Sequence, residues 1–167
     1  MRFTVSDRFD ASIERVEQAV LSGPYQERLR SLPNVAEREV RLQEEAPGGL
    51  VRRVVRYRFD GHVPSAVRSA IGADTISWDE RAVYDPAKHE WRFEIDPHVA
   101  KGRFSCRGTY RFSPEDGGGT RRDVDVDIEV KVPFVGGAVE AAIAGGLRDT
   151  LSAEHRILTD YLSENDT

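Results

Sequence analysis

The hydrophobic period of this chain changes once, and that change limits the folds that the chain can adopt. From Phe104 to Val132 the apolar residues mostly occupy alternate positions, with Arg, Asp and Glu between them. Such alternation predicts antiparallel strands with one buried and one solvated face. From Phe134 to Leu162 the apolar residues instead recur at spacings of three and four, which predicts a helix of roughly 30 residues. The sequence therefore predicts an α+β fold that ends in one long helix.

Shorter elements are predicted before this point. Ser12 can cap a helix that ends at the Gly23-Pro24 breaker, and a second short helix is expected from about Tyr25 to Leu32, before Pro33. A hairpin is indicated by the turn cluster at Pro47, Gly48 and Gly49. Five strands are predicted in this part of the chain, at Phe3–Phe9, Val35–Glu45, Leu50–Phe59, Ile76–Tyr84 and Trp91–Ile95.

The composition favours one cytoplasmic domain and excludes several partners. A length of 167 residues is near the usual size of one domain, so we expect residues 1–167 to form a single unit. The net charge of −5 argues against binding to nucleic acid. No signal peptide or membrane-spanning stretch is indicated, so we expect no integral membrane association. Cys106 is the only cysteine, which suits a reducing compartment. The sequence does not indicate which oligomeric state the protein adopts.

The order of elements resembles a known superfamily. One strand, two helices, six strands and a terminal helix follow one another, and the segment from Val132 to Gly137 leads from the last strand into that helix. This order resembles the helix-grip (SRPBCC) superfamily, which includes START lipid-transfer domains, the birch-pollen allergen group and polyketide cyclases. The chain looks closest to a branch of unknown function. The resemblance implies a curved seven-stranded antiparallel sheet wrapped around the long helix, with a ligand cavity between them.

Small residues in the middle of the predicted helix allow two interpretations. Ala142, Ala144, Gly145 and Gly146 fall where glycine costs about 1 kcal/mol per residue relative to alanine. Either the helix packs closely on the sheet there, or the missing side chains leave room for a ligand. The sequence leaves these two alternatives open.

Glu154 is the least expected side chain on the apolar face of the helix. It falls between Leu151 and Leu158, where an unpaired carboxylate would be costly, so a compensating group is expected. By strand phase, Arg53 and Glu80 point to the same interior. One hypothesis is that Arg53, Glu80 and Glu154 form a polar patch that orients a ligand. The alternative is a structural ion pair between Glu154 and Arg53, or a place for both residues at the rim.

The predicted ligand-binding residues are those whose phase turns them toward the interior between sheet and helix. They are Arg53, Tyr57, Trp78, Glu80, Trp91, Phe93, Phe104, Cys106, Tyr110, Ile143, Gly146, Leu147, Thr150 and Glu154.

Other reactive side chains favour neither metal nor cofactor binding. His62, His89 and His98 are scattered over predicted turns without metal-ligand spacing, and His155 is expected at the boundary of the apolar face. Cys106 lies on the dry face, where a thiol behaves as a small hydrophobe. We therefore expect no metal and no cofactor.

Three functions remain open from the sequence. The first is the binding or carriage of a hydrophobic, lipid-like or polycyclic small molecule. The second is an enzyme of the cyclase, dehydratase or hydrolase kind that uses Glu154 or Glu80 with Arg53. The third is a protein-interaction module with a filled core, which docks through the apolar segment from Val63 to Ile71. We favour the first, with catalysis less expected than binding.

Overall fold

A computed structural model of the protein describes residues 1–63, 65, 68, 69, 72 and 75–165. Strands β1 to β7 and helices α1 to α3 were assigned in chain order, with one 3-10 turn at Leu29–Ser31. The elements are β1 Arg2–Phe9, α1 Ile13–Leu21, α2 Gly23–Arg28, β2 Val35–Ala46, β3 Leu50–Phe59, β4 Ser77–Asp85, β5 Glu90–Pro97, β6 Phe104–Pro114, β7 Thr120–Val130 and α3 Gly136–Glu164.

The seven strands form one antiparallel sheet, in the order β1-β7-β6-β5-β4-β3-β2. Each strand from β2 to β6 pairs with the next one along the chain, while β1 pairs with β7 at one edge. Helix α3, 29 residues long, packs on the inner face of this sheet, chiefly against β7 and β1. The predicted helix-grip fold is therefore confirmed, including the two short helices between β1 and β2.

Ser22 ends α1 and also caps the start of α2, so the boundary between the two short helices differs from the prediction. The side chain of Ser12 accepts a hydrogen bond from the Arg15 amide at 3.4 Å and caps α1. Ser22 then accepts one from the Tyr25 amide at 3.3 Å and caps α2. Pro24 was expected only to end the first helix, but it also begins the second, because a residue in the first turn needs no amide donor.

Glycines sit where the sheet must turn or come close to a side chain. Gly48 and Gly49 join β2 to β3 with φ of 84° and 75°, a conformation that other residues adopt with strain. Gly108 lies in the middle of β6, opposite Phe93 and Val126. A Cβ atom there would lie 2.2 Å from the Asp125 carbonyl oxygen and 2.7 Å from the Phe93 ring. The absence of a side chain at position 108 therefore lets the Phe93 ring lie across the inner face of the sheet.

The core joins the inner face of the sheet to all three helices. Val16 of α1, Tyr25 of α2 and Leu158 of α3 are fully buried, together with Val124 and Ile128 of β7. Within the described residues, no helix is long and apolar enough to cross a membrane.

Candidate functional site

A cavity of about 360 Å³ lies between the inner face of the sheet and helix α3. Most of its wall consists of aromatic and aliphatic side chains from β3 to β7, including Trp78, Trp91 and Phe93. The side chains of the sheet and the helix therefore do not fill the space between them. Its size falls in the range of about 300–1,000 Å³ that is common for small-molecule sites.

All fourteen residues predicted from the sequence line this cavity, although their role in binding stays a prediction. They come from five elements: Arg53 and Tyr57 of β3, Trp78 and Glu80 of β4, Trp91 and Phe93 of β5, Phe104, Cys106 and Tyr110 of β6, and Ile143, Gly146, Leu147, Thr150 and Glu154 of α3.

The small residues of α3 leave room in the cavity at one position and pack closely at another. Gly146 lines the cavity, and a Cβ atom built on it would meet nothing within 4 Å. Gly145 has the same free space, but it is not part of the cavity wall. Ala144, by contrast, is fully buried. Both alternatives left open by the sequence are thus realised, with the room for a ligand at Gly146.

Glu154 is paired with Arg122, and not with Arg53 as one hypothesis had it. Nη1 of Arg122 donates to Oε1 of Glu154 at 3.1 Å, and its Nε donates to Oδ2 of Asp7 at 3.1 Å. The Arg122 side chain is only 1% exposed. Burial alone would lower the pKa of this guanidinium, but Glu154 and Asp7 raise it above its ordinary value. The suggested ion pair between Arg53 and Glu154 is therefore wrong, because β7 supplies a nearer cation.

Arg122 was not predicted from the sequence, although a signal for it existed. It occupies the same alternate positions of β7 as the buried Val124, Val126 and Ile128, so its phase turns it inward. Asp7 likewise shares the inward phase of β1 with Phe9. A buried Arg and a buried Asp on paired strands could have been recognised as partners for Glu154.

Arg38 and Arg53 line the cavity on the side of β2 and β3, and among the described residues their hydrogen-bond partners are neutral. Arg38 donates to the Tyr57 hydroxyl at 3.1 Å, the Gln26 carbonyl oxygen at 2.9 Å and the Gln26 side-chain oxygen at 2.6 Å. Arg53 donates to the Val20 carbonyl oxygen at 3.0 Å, and its guanidinium lies 4.1 Å from the centre of the Trp91 ring. Arg38 was also missed in the sequence, because the mostly exposed strand β2 shows no alternation that marks its inner face.

Glu80 lines the same part of the cavity from β4. Burial raises the pKa of its carboxyl group, Arg53 and Arg38 lower it in part, and Glu154 raises it further, so that the net direction is upward. The hypothesis of a polar patch made of Arg53, Glu80 and Glu154 is therefore modified: all three line the cavity, but Glu154 is engaged by Arg122, while Glu80 faces Arg53 and Arg38.

The comparisons with known proteins agree with this architecture. A family model described as a protein of unknown function, DUF2505, matches residues 4–162. The chain belongs to the DUF2505 family. An uncharacterized protein of Mycobacterium tuberculosis (strain ATCC 25618 / H37Rv) is 25% identical to this DUF2505 protein over 169 residues, which cover 98% of this chain and 97% of that one.

Two solved structures show the same fold across the whole chain. The Zhui aromatase/cyclase from Streptomyces sp. R1128 superposes with a TM-score of 0.67 at 13% identity, covering 100% of this chain and 96% of that one. A START superfamily protein from Mycobacterium smegmatis gives 0.61 at 17% identity, covering 98% and 97%. At such identities the likeness shows the fold alone. The predicted resemblance to the helix-grip superfamily, and to a branch of unknown function within it, is thereby confirmed.

In this DUF2505 protein the Cys106 thiol is buried and the His155 imidazole is half-buried. Burial, with smaller contributions from Glu80 and Asp127, raises the pKa of the Cys106 thiol to about 12, which leaves it uncharged and unreactive at neutral pH. His155 lies at the boundary of the helix face, with its ring centre 4.9 Å from that of Phe9. In the described part of the chain, no three His, Cys, Asp or Glu residues are grouped so as to hold a metal ion.

The segment from Val63 to Ile71, which was considered as a docking surface, lies largely outside the described residues. Val63 itself is described and lines the cavity. The docking hypothesis requires a filled core. The described residues instead enclose a cavity between sheet and helix.

We predict that Glu154→Gln lowers the free energy of unfolding by about 2 kcal/mol, because it leaves Asp7 as the single anionic partner of a buried guanidinium. Glu164→Gln is a matched control, since Glu164 pairs with Arg28 on the surface of the same helix and its loss should change stability little. Urea denaturation of both variants measures the difference. Equal stability of the two variants would show that the Glu154–Arg122 pair does not hold the helix.

We also predict that Glu80→Gln stabilises the protein at pH 7 but not below pH 4. The pKa of Glu80 is raised above its ordinary value of 4.5 in the folded state, so ionisation costs stability as the pH rises through the folded pKa. Below 4.5 the carboxyl group is protonated in both states and the cost disappears. Melting curves of wild type and variant between pH 3.5 and pH 8, roughly the window set by this linkage, test the prediction. A gain that does not depend on pH would contradict it.

Proposed function

We propose that the protein binds a small hydrophobic molecule in the cavity between the sheet and helix α3, and that it holds this molecule without converting it. The observation that carries the proposal is the cavity of about 360 Å³ with its aromatic and aliphatic wall. A lipid-like chain or a polycyclic ring system is the class of molecule that such a wall accommodates.

The energetics of the helix support this proposal. Two consecutive glycines in the middle of α3 reduce its stability by about 1 kcal/mol each relative to alanine. Gly146 faces free space where a larger side chain would fit. A sequence optimised only for stability would place a larger apolar residue there, because filling a cavity adds both burial and packing contacts. Retention of the open space is therefore expected of a protein that binds a ligand in it.

The wall also explains how a ligand would be oriented. Tyr57 stacks on Trp78 in the wall, with ring centres 5.3 Å apart, and Tyr84, which lies behind the wall, stacks on Trp91 at 5.1 Å. Paired rings of this kind offer a rigid apolar surface, whereas Arg53 and Glu80 supply polar groups on the side of β3 and β4. The ligand should therefore be apolar over most of its length and polar at one end.

Catalysis is a second candidate function, and Glu80 is the observation that favours it. A carboxyl group whose pKa is raised in an apolar cavity is suited to general acid–base chemistry, with Arg53 as an electrostatic stabiliser. Glu154 is less suited, because its carboxylate is held by Arg122. The two functions differ in one respect: a carrier releases the molecule it took up, whereas an enzyme releases a product. Mass analysis of a bound molecule before and after prolonged incubation separates them.

The proposal also places the protein in the cytoplasm. Cys106 is a free, buried thiol, and a reducing cytoplasm is where such a residue persists unmodified.

We predict that native mass spectrometry of the purified protein shows an additional mass of roughly a few hundred daltons that denaturation releases. Gly146→Leu should abolish this mass, because its side chain enters the cavity from the helix side. Gly145→Leu is the matched control, since it changes the adjacent glycine, which has equal space but lies outside the wall. Both variants should fold with equal or higher stability, because leucine favours the helix by up to about 1 kcal/mol.

The neutral fluorescent dye Nile red gives an independent measurement. Its fluorescence should rise on binding to wild type and to Gly145→Leu, and not on binding to Gly146→Leu. Wild-type protein that carries no additional mass and does not bind the dye would overturn the proposed function.

A further inference from the structure

We propose that the ligand is an acid: an aliphatic or aromatic molecule whose carboxylate binds beside Arg53 and Arg38, with its apolar body along the aromatic wall. This inference rests on the proposed function and specifies the chemical class of the ligand.

The first observation is the distribution of charge around the cavity. Arg122 is matched by two carboxylates, Asp7 and Glu154, both in ion-pair contact with it. Arg38 and Arg53 have no such partner: in the described part of the chain, neither guanidinium forms an ion pair with a carboxylate. Glu80 is the anion of the wall that faces them, and it acts on both from beyond ion-pair distance. Glu154, which is bound to Arg122, also acts on both from a distance, so each of these buried cations lies in the field of carboxylates without contacting one.

The second observation is that Arg53 is incompletely satisfied. Arg53 is only 8% exposed, yet its Nε has no hydrogen-bond partner among the described groups. Burial lowers the pKa of this guanidinium, and Glu80 offsets only part of the effect. A buried cation left in this condition is unfavourable, and an anion that enters the cavity would compensate it.

The third observation is the geometry that keeps Arg53 in place. Nη1 donates to the Val20 carbonyl oxygen at 3.0 Å, and the guanidinium carbon lies over the Trp91 ring, 4.1 Å from its centre. The residue opposite Arg53 on β4 is Ala82, whose small side chain also lines the cavity. A planar guanidinium fixed in this way, with a small neighbour, suits a carboxylate, which it can bind through two parallel hydrogen bonds.

Glu80 limits the charge that this end of the cavity can accept. When ionised it repels a bound carboxylate, and when protonated it can donate a hydrogen bond to one. The charged and titratable groups around it come from four elements besides its own strand: Arg38 from β2, Arg53 and Tyr57 from β3, Cys106 and Tyr110 from β6, and Glu154 from α3. Because Arg38 and Arg53 have no carboxylate in contact but Glu80 and Glu154 lie nearby, this side suits a singly charged carboxylate better than a doubly charged phosphate.

The experiment compares two probes that differ only in the head group, dodecanoate and 1-dodecanol, as competitors of Nile red at pH 8. We expect wild type to bind dodecanoate about ten-fold or more tightly than dodecanol, as a charge-assisted pair of hydrogen bonds would give. Arg53→Met should lose the preference for the acid, so that the ratio of its affinities for dodecanoate and dodecanol falls to about one. Arg52→Met is the matched control, because Arg52 is the neighbouring arginine on the same strand, faces solvent and is 56% exposed.

Glu80→Gln provides a second readout that does not depend on the folding of Arg53→Met. It removes the anion that repels the ligand, so the affinity for dodecanoate should rise several-fold while that for dodecanol stays the same. Equal affinity of wild type for the two probes would overturn the inference. So would an acid preference that survives Arg53→Met, or a Glu80→Gln variant with weakened binding of the acid.

The same titrations distinguish this inference from the proposed function. If Nile red and dodecanol bind and Gly146→Leu blocks them, but dodecanoate shows no advantage, the cavity is a binding site for a neutral molecule and only the acid class is wrong. If none of the three probes binds, the proposed function fails, and the inference fails with it.

Discussion

A buried guanidinium holds the two layers of this protein together. Arg122 of β7 bonds to Asp7 of the neighbouring strand and to Glu154 of helix α3, so one side chain joins the first strand, the last strand and the terminal helix. The arrangement is almost fully shielded from solvent, which makes each of its hydrogen bonds costly to break. Because the helix is fixed at this point, the remainder of it can pass over the sheet without packing tightly on it, and a cavity is possible.

The shape of that cavity depends on where side chains are missing as much as on those present. Gly146 leaves space below the helix, and Gly108 allows the Phe93 ring to lie flat on the inner face of the sheet. The aromatic wall and the polar side of the cavity then follow from strand phase, since every second residue of β3 and β4 points inward. Apolar side chains thereby form most of the wall, with Arg53 and Glu80 among them on β3 and β4.

Much of this could be predicted from the sequence, because period and phase are local properties. The change of period near Phe134 predicted both the sheet and the helix, and the alternation along each strand predicted which residues line the cavity, including Trp78 and Cys106. Pairing is different, since it depends on which strand lies nearest to a given helix residue. Glu154 was expected near Arg53, but the sheet order brings β7 under the helix and gives the carboxylate to Arg122.

Arg38 could not be predicted from the sequence for a different reason. Strand β2 lies at the edge of the sheet and exposes most of its residues, so its sequence has no alternation from which an inner face could be recognised. The inward turn of Arg38 is determined by Gln26 and Tyr57, which belong to other elements. A site that includes residues of an edge strand can therefore be predicted only in part from the sequence.

The position of α3 in the chain has a consequence for biosynthesis. All seven strands leave the ribosome before the helix that covers them, so the nascent sheet presents its apolar inner face, and Arg122 without its partner Glu154, to the surroundings until α3 emerges. During this interval the half-made protein is prone to association with other chains. The cavity between sheet and helix accordingly cannot form until α3 has been synthesised, and the synthesis rate around this helix becomes a factor in how much protein reaches its native state.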